Sequence, residues 1–274
     1  MPFHSNFKIS YVLLILILAF LFVKYALPYW RHLKIRQKTV ALYRNLQRSS
    51  IPWKIIGYST KHNPIYVFET GSGPDTVLIM GVFHGDEPVG CDLVVRLADT
   101  LQKNPSLIHN RVVLVPVVNP DALLKGTRKN SNKVDINRNF PTDDWSPVYT
   151  KKMYYPGREA GSEVETQVVM EILEKYKPDR IFSIHSPLRM NNFNGPARRL
   201  AEIVGRDNGY PVTEDVGYTT PGSFGTYTGV ERKIPTLTVE LPDIGPEEAW
   251  EQNYQALIDF INYKGEEERV PNRQ

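Results

Sequence analysis

Three short segments of the chain carry side chains able to do chemistry: His84-Gly85-Asp86-Glu87, Ser183-Ile184-His185 and Thr238-Val239-Glu240. Each follows or closes an apolar run of strand-like composition, so stacking those runs side by side brings two imidazoles and two carboxylates to one sheet edge. Two His and one Glu with a fourth coordination position open form the ligand set of a hydrolytic zinc site, and a second Glu beside it supplies a general base. Glu240 is the most telling of the four. It is embedded in Thr236-Leu237-Thr238-Val239-Glu240-Leu241, where an ionised carboxylate is costly to bury unless it is paired or lies beside a cation. His84 with Glu87 three positions on is a common pairing by chance, and a lone His185 closing a strand is as readily a hydrogen-bonded core residue. Their shared strand-end setting is what sets them apart. His4, His32, His62 and His109 lack that setting and read as solvated or structural.

Between the first and second of these segments lie Asn119-Pro120-Asp121, Gly126-Thr127-Arg128-Lys129-Asn130 and Val134-Asp135-Ile136-Asn137-Arg138-Asn139-Phe140-Pro141. Arg128 and Arg138, flanked by amides and following a strand, offer fixed donor forks for a carboxylate and for a developing oxyanion. Solvated loop arginines would look the same from spacing alone.

The elements that must position these groups alternate. Ile65 to Thr70, Thr76 to Met80, Arg111 to Val118, Asp179 to His185 and Pro235 to Leu241 are short Val/Ile/Leu-rich runs of buried-strand type. Pro88 to Thr100, Ser162 to Tyr176, Ala197 to Gly205 and Pro246 to Asn262 carry helical spacing, with Ser162 and Glu165 in capping-box register. This order predicts a three-layer α/β/α sandwich around a mixed, largely parallel sheet. Ligands of such sheets bind outside the carboxyl ends of the strands, where all three chemical segments fall.

The chain has 274 residues, 41% of them hydrophobic, enough for one domain of about 220 residues with a full core plus an appendage. The net charge of +3 is small and sits largely near the N-terminus, which argues against nucleic acid as a partner. The single Cys91 excludes an internal disulfide, is compatible with a reducing compartment, and reads as a small buried residue early in a helix. The appendage is apolar: Ile9 to Val23 is interrupted only by Ser10 and Tyr11, and Ile9 to Leu27 reaches the roughly 20 residues of a membrane span if Lys24 snorkels. A membrane anchor is the preferred reading, with a cleaved signal segment as the alternative. Pro28 is expected to end the membrane helix, with Tyr29 and Trp30 at the interface. Lys8 alone precedes the span, whereas Lys24, Arg31, Lys34, Arg36 and Lys38 follow it. The positive-inside tendency therefore puts the catalytic part in the cytoplasm, and a signal-anchor reading would export it. The expected organisation is anchor 1–28, basic connector 29–50, catalytic domain 51–265 and polar tail 266–274.

Taken together, the His84-to-Glu87 pair, the Asn137-Arg138 pair, the distant strand-end His185 and the Thr238-Val239-Glu240-Leu241 strand resemble the zinc carboxypeptidases over roughly residues 55 to 262. Ser186-Pro187-Leu188, Asn194-Gly195-Pro196 and Pro221-Gly222-Ser223-Phe224-Gly225 look more like the bacterial murein peptide amidase branch than the digestive enzymes. The resemblance implies one Zn2+ held by His84, Glu87 and His185, with Glu240 as general base and Arg128 polarising the scissile carbonyl. It further implies that Asn137 and Arg138 grip a terminal carboxylate and that Asp135 orients the first ligand histidine. Tyr218 matches the mobile tyrosine of the digestive enzymes. Phe224 falls where the family sets side-chain preference, an aromatic in place of the usual small, basic or acidic residue.

For the murein branch, the implied reaction is hydrolysis of the γ-D-glutamyl to meso-diaminopimelate bond at a bacterial inner membrane. Diaminopimelate carries an ammonium and a carboxylate at its far end, and Arg189 and Asn192 are the expected partners for them. A general metallocarboxypeptidase and a zinc N-acyl amino acid deacylase of the aspartoacylase type are the alternatives.

Overall fold

Because side chains alternate along a strand, each continuous apolar run supplies both faces of a single sheet. The computed structural model describes residues 4–265, so the expected polar tail 266–274 lies outside the described residues, as do the side chains of residues 1–10, His4 among them. The strands are β1 (Lys54–Tyr58), β2 (Pro64–Thr70), β3 (Thr76–Met80), β4 (Arg111–Val115), β5 (Arg180–His185), β6 (Met190–Asn194), β7 (Val212–Thr213) and β8 (Thr236–Glu240), ordered β1-β2-β4-β3-β5-β8-β6-β7. The central four, β4-β3-β5-β8, are parallel, and antiparallel pairs flank them on both sides. In β3 and β4, Val77, Ile79, Val112 and Leu114 enter one core while Leu78, Met80, Val113 and Val115 enter the other. All eight are fully buried, each worth about 1.5–3 kcal/mol relative to exposure.

The first core is closed by α3 (Val89–Lys103), α6 (Arg198–Asn208) and α7 (Pro246–Asn262), the second chiefly by α5 (Val164–Tyr176), which gives the expected three layers. The strand expected to run to Val118 stops at Val115, because Pro116 has no N–H to continue the ladder. β1, β6 and β7 lie outside the apolar runs read from the sequence: β1 is short and broken by Gly57, and β6 reads Met190-Asn191-Asn192-Phe193-Asn194 and is held by pairing with β8. The expected Ser162–Glu165 capping box is not made. Glu163 is the N-cap, and Glu165 is fully buried, accepting from the Thr60 backbone and the Asn130 amide instead.

At the N-terminus, α1 (His4–Leu21), a π-turn over Phe22–Ala26 and α2 (Leu27–Arg44) form one uninterrupted helical run. Pro28 therefore does not end the helix. The π-turn just before it, in which Leu27 N–H bonds to Phe22 O, changes the local register and absorbs a proline that lacks the normal hydrogen bond. The described side chains from Tyr11 to Arg31 are all exposed, and Leu13–Arg44 contains a stretch long and apolar enough to cross a membrane, a test that a signal sequence also passes. The second half of α2 behaves differently. Thr39, Tyr43 and Leu46 are buried, Ile35, Val40 and Leu42 pack on the first core, and Tyr43 Oη donates to Pro64 O at 2.7 Å. The segment expected to be a connector thus supplies part of the core.

Candidate metal centre

The carboxyl ends of β3, β5 and β8 are adjacent, and the chemical segments project from them. His185 and Glu240 stand opposite each other in the β5–β8 register. His84 reaches the same edge through a turn at Gly81 and Val82; Val82 has φ 52, an unfavourable setting for a β-branched residue and one that places strain beside the site. Gly85 follows because nothing larger fits, since a Cβ there would lie 1.9 Å from the Ala122 carbonyl carbon in the first turn of α4 (Pro120–Lys125).

The Glu87 carboxylate lies between the two imidazoles, with Oε1 2.8 Å from His84 Nδ1 and Oε2 3.0 Å from His185 Nδ1. Potential ligand atoms of His84, Glu87 and His185 all lie within 4.8 Å of one another, and all three residues are buried. The second nitrogen of His84, Nε2, is 3.0 Å from Asp135 Oδ1, which leaves Nδ1 as the nitrogen facing Glu87. Asp135 also accepts from the Asn137 backbone and, through Oδ2, from Arg128 Nε at 2.9 Å. It therefore ties together the first imidazole and both segments that bear arginines.

Charges follow this geometry. Burial pushes Glu87 upward, but His84 and His185 outweigh it and hold the carboxyl well below the ordinary range. Asp135 is held low against burial by His84 and Arg128. Burial draws His84 down, yet the carboxylates of Glu87 and Asp135 push it up to about 9. Glu240 moves the other way: burial raises its carboxyl, the Glu87 charge adds to this, and His185 opposes both. Its Oε2 is buried without a hydrogen-bond partner. Two imidazole nitrogens and a carboxylate converging beside an unpartnered buried carboxylate oxygen fit a zinc ion with three protein ligands.

Comparison with known proteins agrees with this geometry. The zinc carboxypeptidase family profile matches residues 44–197. Murein peptide amidase A of Vibrio campbellii is 34% identical over 198 residues, spanning 68% of this chain and 77% of the relative. Its counterpart in Escherichia coli K12 is 33% identical over 199 residues, spanning 68% and 79%. The chain belongs to the zinc carboxypeptidase family. The crystal structure of murein-tripeptide amidase MpaA from Escherichia coli O157 superposes with a TM-score of 0.68 at 29% identity, covering 80% of this chain and 95% of that one. The protein is thus a zinc-dependent hydrolase with a carboxypeptidase-like fold.

A cavity of about 570 Å³ opens over the His-Glu-His group of this zinc carboxypeptidase. Arg128, Asn137, Arg138, Asn192, Tyr218 and Glu240 all line it. The Asn137 amide oxygen accepts from Phe224 N at 2.8 Å, which fixes its orientation. Asn192 is buried on β6, directly opposite Thr238 of β8, and donates to the carbonyls of Thr213 and Glu214.

Two expected cavity residues lie elsewhere. Phe224 is 1% exposed and packs with Phe83 and Phe140 in the second core, so the cavity wall at this turn is formed by its neighbours Ser223 and Gly225. A Cβ at Gly225 would lie 2.2 Å from Asn194 Oδ1, so a larger residue there would have to displace the Asn194 side chain that also lines the cavity. Arg189 is exposed, sits over the Tyr210 ring and donates to Gly209 O at 3.3 Å, facing away from the cavity. Its backbone takes a positive φ of 51, which interrupts the wall between Ser186, Pro187 and Leu188 before it and Asn192 and Asn194 after it. Sequence reasoning also missed Tyr154, Asn194, Glu214 and Asp215 as lining residues. Asn194 stands in the Asn194-Gly195-Pro196 motif without having been singled out, and the segments of Tyr154, Glu214 and Asp215 lack periodicity or a motif.

Proposed function

We propose that this enzyme cleaves an amide bond adjoining a free carboxylate, and that its substrate is the γ-D-glutamyl–meso-diaminopimelate bond of murein peptides. The observation that carries the reading is the unpartnered Glu240 oxygen beside the His84-Glu87-His185 group, with Arg138 lining the same cavity. His84, Glu87 and His185 would hold the zinc, and Asp135 fixes the setting of His84. When bound there, a zinc ion would supply an acidified water and Lewis-acid polarisation of the carbonyl. Glu240 takes the proton of the attacking water and later delivers it to the leaving amine, a role suited by a carboxyl that burial has raised. Arg128, held by Asp135 and Glu87, faces the carbonyl oxygen with a fixed donor fork. Arg138 and Asn137 bind the free carboxylate and restrict cleavage to a terminal bond. Tyr218, exposed on the 214–220 loop, covers the substrate, and Asn192 meets the polar far end of diaminopimelate.

The printed names of the relatives support the murein reading, and the exposed apolar helix supports attachment to the bacterial inner membrane. In this arrangement the anchor extends to about Arg31 and the catalytic unit begins within α2. The test uses the full chain in detergent with murein tripeptide, assayed for free diaminopimelate with and without a chelator. Release that stops on chelation and returns with zinc is expected. Preferential cleavage of ordinary L-peptide C-termini would favour the general carboxypeptidase, and cleavage of N-acyl amino acids alone would favour the deacylase. C-terminal reporter fusions assign the side of the membrane.

A further inference from the structure

No step above uses Tyr154, yet it touches more of the cavity's charged groups than its loop position suggests. It closes a single helical turn, Lys152–Tyr154, that is anchored on both sides: Lys129 Nζ donates to Lys152 O at 2.9 Å, and Asp135 N donates to Tyr155 O at 2.8 Å. Its ring lies 5.5 Å from the Arg128 guanidinium carbon and 5.2 Å from that of Arg138, and it stacks on Tyr218 at 5.9 Å with only 12° between the planes. The two arginines are held very differently. Arg128 bonds to Asp135 and Glu87, both buried carboxylates. Among the described residues Arg138, 4% exposed, makes no ion pair, and its side chain makes one hydrogen bond, to the neighbouring Asn137 carbonyl. A buried guanidinium with no carboxylate at ion-pair distance needs another electron-rich surface, and the Tyr154 face lies against it.

We propose that Tyr154 is a positioning residue. Its ring holds Arg138 in place for the carboxylate of the substrate and, by stacking on Tyr218, couples the 214–220 loop to the filled site. This rests on the reading of Arg138 as the carboxylate grip. An incoming carboxylate supplies the partner Arg138 lacks, while Tyr154 keeps the guanidinium from swinging toward solvent or toward the carboxylates that hold Arg128.

The experiment compares wild type, Tyr154→Ala and Tyr154→Phe for zinc content, thermal midpoint, kcat and KM on murein tripeptide. Tyr154→Ala is expected to raise KM about tenfold with kcat nearly constant and zinc fully bound. Tyr154→Phe, which keeps the ring, is expected to keep the wild-type KM. An unchanged KM in Tyr154→Ala overturns the proposal, as does a loss confined to kcat or a Tyr154→Phe defect equal to that of Tyr154→Ala.

Absence of wild-type turnover on any carboxylate-bearing peptide is failure of the functional reading, not of the positioning role. Calorimetric binding of diaminopimelate and of its diamide then decides. A wild-type preference for the acid that Tyr154→Ala loses upholds the role, and a preference that survives in the variant ends it. Wild type that binds acid and diamide alike removes both readings.

Discussion

The carboxyl edge of β3, β5 and β8 and the seam where α2 docks on α3 are held by different physics. At the sheet edge, His84, Glu87, Arg128, Asp135 and His185 form a buried chain of polar contacts, each side chain facing at least one complementary partner. At the docking seam, Tyr43 and Leu46 bury apolar surface, and the polar contacts are few: Tyr43 to Pro64 O, and Thr39 to both Asp92 and Ile35 O. Removing one member of the edge strands a charge, whereas removing one member of the seam leaves a void. The edge is therefore expected to fail in function with the fold intact, and the seam to fail in stability with the chemistry intact.

The sharpest contrast comes from Glu240→Gln, which keeps shape and removes the base. A fall in kcat of about 10³-fold with zinc content and thermal midpoint preserved is expected from stopped assays and metal analysis. A variant retaining a tenth of wild-type kcat would remove Glu240 from the chemistry. On the seam, Leu46→Ala should cost about 3 kcal/mol in urea unfolding while leaving kcat/KM per folded molecule unchanged. By the same logic, a fragment starting at Ser50, which loses both Tyr43 and Leu46, should unfold more readily than one starting at Arg31; equal urea midpoints would mean that α2 is an accessory.

Smaller effects refine the contrast. Asp135→Asn keeps a hydrogen-bonding group near His84 Nε2 but loses the charge, so zinc affinity should drop about 10- to 100-fold in chelator competition. Wild-type affinity in that variant would leave Asp135 as an anchor for Arg128 alone.

The smallest effect concerns Asp92, where burial pushes the carboxyl up to about 6. The folded form therefore favours the proton: its contribution is present below the unfolded value of about 3.9 and is lost as pH rises through about 6. Asp92→Asn should raise stability at pH 7.5 relative to wild type by on the order of 1 kcal/mol and do less at pH 5. Equal urea midpoints for the two proteins at pH 7.5 would show that Asp92 ionises there without cost.

Legibility followed the same divide. His84, Glu87, His185 and Glu240 stood out in the sequence because an imidazole or carboxylate at the end of a buried strand has few cheap explanations. The parallel core strands were readable for a related reason, since continuous Val/Ile/Leu runs mark strands buried on both faces. Phe224, by contrast, looked like a specificity residue from its place in Pro221-Gly222-Ser223-Phe224-Gly225, yet a one-residue difference in a turn decides whether a ring faces the cavity or the core. Arg189 and the helix stop at Pro28 misled similarly, because backbone direction in one case and a compensating π-turn in the other are absent from composition.

By itself, the sequence determined the hydrolase class, the alternation of strands and helices and the four chemical groups that meet at the sheet edge, because each rests on residue chemistry or on a period local to the chain. Only the tertiary structure decided that Asp135 joins His84 to Arg128, that Tyr154 lies across Arg128 and Arg138, and that half of the apparent connector belongs to the core. Those facts depend on side chains far apart in sequence meeting at distances that packing of the whole sheet sets, and no local pattern encodes them.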